Sequence, residues 1–249
     1  PLRRQRQMCI RDSDNTDLQD MRRFLEYWPN TIGNNVDILT PANSSGVVFH
    51  ISTNNSLKSF EPRVSRRTMN REDRSVPRVS TAGTLNGCLS GYSSALYDWE
   101  QMDAEKWSGG WKIYAINYEV ALKPNKKILG DADSTEEVWL VPYNKAHVRY
   151  PATPIGEIFF TKVGREATSD AKLPRKVVVK AYVRIAEGNM LPLNKSTVLR
   201  AGYYKLIYNN WFEAMDLRNP QDIIVLPITS GEYSSHKKLG AGNLGLTDS

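Results

Sequence analysis

Val47-Val48-Phe49-His50-Ile51-Ser52 and, further on, Arg78-Val79-Ser80-Thr81-Ala82 decide how this chain is read. The first is a β-branched and aromatic run bounded by Gly46 and by Asn54-Asn55, the composition of a strand closed by turn residues. The second is a short strand that passes through Gly83 into Thr84-Leu85-Asn86-Gly87-Cys88-Leu89, a helix start. Between them Leu57 to Arg74 is turn-rich and charged, with Arg63, Arg66, Arg67, Arg71 and Arg74 set against Glu61, Glu72 and Asp73. A strand-borne histidine, a basic cluster and a helix N-terminus thus lie close together in the chain.

Upstream, Leu18, Met21, Leu25 and Trp28 recur at spacings of three and four, which predicts an amphipathic helix over Asp14–Trp28, ended by Pro29. Asn30 to Ser45 reads as loop with a short strand at Val36–Leu39. Downstream, Leu85, Cys88, Leu89, Tyr92, Leu96 and Trp99 predict a helix over Thr84–Trp99. Gly87 and Gly91 weaken it by about 1 kcal/mol each relative to Ala and point to close packing on a sheet. A second helix is expected over Asp98–Trp107. Trp111–Val120 is apolar on both faces and reads as a central strand. Lys123–Thr135 reads as loop, and strands are expected at Val138–Val141, Gly156–Lys162, Arg175–Ile185 and Ile223–Ile228. Leu206, Ile207, Trp211, Ala214 and Met215 suggest a helix over Tyr203–Leu217, and the Gly/Ser-rich chain from Ser230 reads as a mobile tail. The expected class is α+β: a central mixed or antiparallel sheet of about six strands with packed helices. The expected division is a helix and linker over 14–35, one domain over 36–228 and a tail over 229–249.

Composition excludes several classes. Of the net charge of +6, +3 lies in the first thirteen residues, so the remainder is only mildly basic and argues against a nucleic-acid partner. No apolar run reaches the roughly 20 residues a spanning helix needs, so no membrane partner is expected. Cys9 and Cys88 make no disulfide framework, and no Cys/His spacing suits a metal, so none is expected. Met8-Cys9-Ile10-Arg11-Asp12-Ser13 resembles one frame of a sequencing-library adapter read as protein. Residues 1–13 are therefore expected to be a non-native or disordered segment.

Of the three histidines, His236 falls in the expected tail and His147 follows the polar Tyr143-Asn144-Lys145; His50 alone lies in an apolar strand. A lone strand histidine is by default a hydrogen-bonded structural residue. Its surroundings add to that. Val47-Val48-Phe49-His50-Ile51-Ser52 resembles the first strand of ADP-ribosyltransferase-like folds, where a histidine in an apolar strand, followed by Gly and Ser/Thr, meets the NAD ribose. Ile51 stands where that family has Gly. Arg78–Ala82 entering Thr84–Leu89 resembles the family's second motif, a strand bearing Tyr, Ser or Thr that enters a helix. Glu136-Glu137-Val138-Trp139 resembles its third, a Glu beside a later strand, with Glu157 as the alternative. The same block also resembles uncharacterised proteins of bacteriophages and their hosts.

The resemblance implies NAD as cosubstrate and a host protein as acceptor, in the bacterial cytoplasm or a virion. It implies Glu137 and Ser80 as catalytic residues, and His50, Ser52, Arg78 and Arg67 as NAD-binding residues. Arg63, Arg66, Arg67 or Arg78 would meet the pyrophosphate, since guanidinium pairs bidentately with phosphate. Trp111, Tyr114 or Tyr118 would stack on nicotinamide, although each is as readily a core residue. No phosphate-loop or Gly-x-Ser-x-Gly motif is present, and Cys88, on the apolar side of its helix, reads as a packed thiol. The alternative is a non-enzymatic phage-encoded binding or virion-associated protein. An enzyme requires His50, Ser80 and a Glu to converge; the binding protein does not.

Overall fold

The computed structural model describes residues 16–64, 72–91, 110–166, 176–208 and 223–242. The expected class is overturned: among the described residues the chain is mostly β, with 45% strand against 23% helix, and its antiparallel strands outnumber the six expected under packed helices. The chain divides into two compact units.

The first unit contains residues 1–50, 57–83 and 115–153. Its strands β1 (Val36–Leu39), β6 (Ala121–Pro124), β7 (Glu137–Leu140), β4 (Val79–Ala82) and β2 (Val47–Ser52, in this unit as far as His50) follow one another in that order, all antiparallel. A second, two-stranded ladder pairs β3 (Ser59–Phe60) with β8 (Tyr150–Pro151). Helix α1 (16–26) lays Met21, Phe24 and Leu25, with Trp28 just beyond it, on a core that includes Val120, Leu122, Trp139 and Val141. Asn144 clamps it there, donating to Asp17 Oδ1 at 3.1 Å and Asp20 Oδ2 at 3.0 Å. Two features escaped the sequence reading at the stretch expected to be loop from Lys123 to Thr135: β6, which runs into it, and a helical turn at Ala132–Thr135. Ala-Leu-Lys-Pro has little intrinsic β preference, and its strand state comes from pairing with β1 and β7.

The second unit contains residues 51–56, 84–114 and 154–249. Here β9 (Thr153–Glu166), β10 (Lys176–Pro192), β11 (Val198–Tyr208) and β12 (Ile223–Ile228) form an antiparallel meander. β5 (Gly110–Asn117) contributes Gly110–Tyr114 to this unit. The helix expected from Tyr203 is a correction: Tyr203–Tyr208 is the second half of β11, paired with β10 on one side and β12 on the other. The expected helix beyond Tyr208, like that over Asp98–Trp107, lies outside the described residues. The helix expected from Thr84 is observed over Leu85–Gly91; its Asn86 amide donates to the Leu193 carbonyl at 3.1 Å, and Tyr208 Oη donates to Asn86 Oδ1 at 3.2 Å. The expected mobile tail is also corrected, because Ser230–Gly242 is a helix.

Candidate functional site

Three of the expected residues come together in the first unit, on the neighbouring strands β2, β4 and β7. Ser80 pairs with Trp139, and Ala82 with Glu137. Directly opposed residues of an antiparallel pair share a face, so Ser80, Glu137 and Trp139 point the same way. The Ser80 hydroxyl donates to the Glu137 carboxylate, and Trp139 Nε1 donates to Glu137 Oε1 at 2.8 Å. Ser80 is exposed and Glu137 half-buried, so the pair opens to solvent. Glu136 adopts a left-handed conformation (φ 47°), which ends the preceding helical turn and starts β7 with Glu137.

His50 joins this group through the backbone. Its Nδ1 lies 2.9 Å from the Ser80 carbonyl oxygen, and its ring packs edge-on against Phe60 at 4.7 Å. A carbonyl can only accept, so Nδ1 carries the proton and, in the neutral ring, Nε2 is left as an acceptor. Burial lowers the His50 pKa despite the opposing effect of the Ser80 hydrogen bond, so the ring is neutral near pH 7. Ile51 is buried; successive strand residues point to opposite faces, so its side chain does not crowd the imidazole.

Burial pushes the Glu137 carboxyl above the ordinary range. Hydrogen bonds from Ser80 and Trp139 and the charge of Arg78 pull it partly back, while Glu72 pushes it up further. A desolvated carboxylate kept in place by directed donors is the kind of group that functional sites hold.

Arg78 does not take its expected role. Its side chain is 1% exposed. Its guanidinium pairs with Glu72, donates to the Val76 carbonyl at 3.1 Å, approaches Asp73 at 4.0 Å and lies 4.2 Å over the Trp139 ring. An arginine so engaged is committed to the interior and cannot reach a pyrophosphate. Ser52 belongs to the second unit, where its hydroxyl accepts the Asn54 amide at 3.1 Å and closes a turn. Arg66 and Arg67 lie outside the described residues, and Arg63 pairs with Glu61 at 3.3 Å. The alternative carboxylate, Glu157, is held in the second unit by Arg184, Tyr233 and Lys237. Trp111, Tyr114 and Tyr118 are all buried.

Among the described residues no group of three or more His, Cys, Asp or Glu is placed to hold a metal, and no helix is long and apolar enough to cross a membrane. No family model, curated protein or solved structure matches the chain. The Trp139 hydrogen bond to Glu137 and the stacking of Arg78 on Trp139 were missed in the sequence. The spacing Glu-x-Trp on a strand was the available signal, since residues two apart share a face.

Proposed function

We propose that the chain is an ADP-ribosyltransferase-like protein that transfers ADP-ribose from NAD to an acceptor. The observation that carries this reading is the carboxylate of Glu137, held by the exposed Ser80 hydroxyl of the adjacent strand, with His50 bonded to the same serine's carbonyl. Breaking the nicotinamide–ribose bond builds positive charge on the ribose carbon. An ionised, preoriented Glu137 would stabilise that charge and accept from a ribose hydroxyl. Ser80 would hold the carboxylate, and the acceptor Nε2 of a neutral His50 would take a hydroxyl of the other ribose. Arg78 has no part in binding the pyrophosphate.

The test is NAD binding by calorimetry and NAD turnover, on the wild type, His50→Ala and Glu137→Gln. Binding lost in the first variant and turnover lost with binding retained in the second support the reading. A folded wild type that binds no NAD at millimolar concentration overturns it. A second reading, a non-enzymatic binding protein, is favoured by Ile224 and Leu226, which stand 44% and 41% exposed at alternate positions of β12. It predicts that a soluble partner protects these two residues from solvent while NAD has no effect.

A further inference from the structure

Glu137 has two donors of different character. The Ser80 hydroxyl is a rotor on an exposed side chain, free to swing toward water. The Trp139 indole N–H has a fixed direction, because the ring is fully buried in the first unit's core with Met21, Ile32, Val76 and Leu122. Glu137 and Trp139 stand two apart on β7, on one face, with 2.8 Å between Nε1 and Oε1. The ring is fixed in turn by Arg78, whose guanidinium covers it at 4.2 Å. That arginine is itself held by Glu72, by the Val76 carbonyl and by Asp73. A cation over an indole face draws π density toward itself and leaves the N–H at the ring edge more positive. A donor of that kind facing a carboxylate makes a charge-assisted hydrogen bond, the stronger class.

We propose that Trp139 is a positioning residue for Glu137: its indole N–H sets the direction of the carboxylate, and Arg78 sets the indole. The catalytic consequence rests on the transferase reading, in which a positioned carboxylate meets the charge developing on the ribose. The positioning itself belongs to the free protein and is open to measurement without NAD. Without the indole N–H, a half-buried oxygen loses its fixed donor. The carboxylate, still half-buried, then holds its proton to higher pH.

The experiment replaces Trp139 in the full chain by 3-benzothienylalanine, which keeps the outline of the ring and puts sulfur in place of N–H, with Trp139→Phe alongside. The protein carries ¹³C-carboxyl glutamate and is titrated by NMR without NAD. The Glu137 signal is the one that Glu137→Gln removes. The expected result is that Glu137 takes up its proton at higher pH in both variants than in the wild type, with the isostere's melting temperature close to the wild type's. In NAD turnover, kcat falls about tenfold to a hundredfold with KM little changed, the loss expected for one hydrogen bond to a charged group. An unmoved Glu137 titration in the folded isostere overturns the proposal. A moved titration in a protein that turns over no NAD leaves the positioning standing and removes the transferase reading.

Discussion

Glu137 illustrates how a functional group can oppose stability. Its pKa is raised in the folded state, chiefly by burial, so between the unfolded and folded values the native chain binds more protons than the unfolded one. Its contribution to stability therefore falls as pH rises through that window. Glu137→Gln keeps the shape and a hydrogen-bonding oxygen but never ionises. The variant should melt at or above the wild-type temperature at pH 7 to 8, and the difference should close as pH drops below the Glu137 transition. A melting temperature below wild type at every pH would show that the ionised carboxylate is a net structural asset. Arg78 behaves oppositely: removing it leaves Glu72 and Asp73 without their cation beside the core, a change of about 3–5 kcal/mol. Of these residues, His50, Ser80 and Glu137 were singled out through the family resemblance of the strands that bear them, and antiparallel pairing brings those strands together. The burial of Arg78 was not, because a sequence rich in arginine and acid over 61–78 looks the same whether its guanidinium faces water or an indole.

The helix at Ser230–Gly242 was misread because its composition is poor in helix formers and rich in Gly and Ser. What makes it a helix is a capping box that the sequence does display, Thr229-Ser230-Gly231-Glu232. The Glu232 amide donates to Thr229 Oγ1 at 3.1 Å, and the Thr229 amide donates to Glu232 Oε2 at 2.9 Å. Ile228 and Tyr233, the residues flanking that box, pack in one cluster with Phe159 and Tyr182, and Tyr233 Oη donates to Glu157 at 3.0 Å. Thr229→Ala should loosen the helix by about 1 kcal/mol. That would appear as faster amide exchange across 230–242, with exchange in β1 and β6 unchanged; equal protection in the variant would show that the cap does not hold the helix. β11 failed for another reason. Over Tyr203–Tyr208 a short apolar run fits both periods, and the helical pattern drew on Trp211, Ala214 and Met215, beyond the strand. The long ladder with β10 decides the matter, and no local pattern encodes it. That ladder's other neighbour depends on one glycine: a Cβ at Gly156 would lie 2.2 Å from the Arg184 carbonyl oxygen, backbone that cannot yield without disturbing the β9–β10 pairing. Gly156→Ala should cost about 1–3 kcal/mol or more, read as a lowered denaturation midpoint.

Across the whole molecule, the dependence of stability on pH sums groups of opposite sign. Glu157 is pushed up by its burial, but the hydrogen bond and charge of Lys237, the Tyr233 hydroxyl and Arg184 together bring it below the ordinary range. Its contribution is present above the unfolded pKa and lost as pH falls through the folded one. His50, lowered by burial, has the same sign at a higher pH: the unfolded imidazole takes a proton that the native ring resists. Acid therefore acts first through His50 and His147, whose pKa burial also lowers, then through Glu157, while Glu137 works against all three. The first step can be isolated. His50→Asn retains an N–H donor near the position of Nδ1 for the Ser80 carbonyl and cannot become charged. Chemical denaturation at a series of pH values should show wild-type stability declining as pH falls through and below the ordinary histidine range, and a flatter curve for the variant in that interval. The two curves should run parallel again at lower pH, where carboxylates titrate. Parallel curves through the histidine interval as well would mean that His50 is as readily protonated in the folded chain as in the unfolded one. The neutral ring that donates through Nδ1 and keeps Nε2 as an acceptor would then be the wrong description of the site, and the ribose-orienting role proposed for His50 would fall with it.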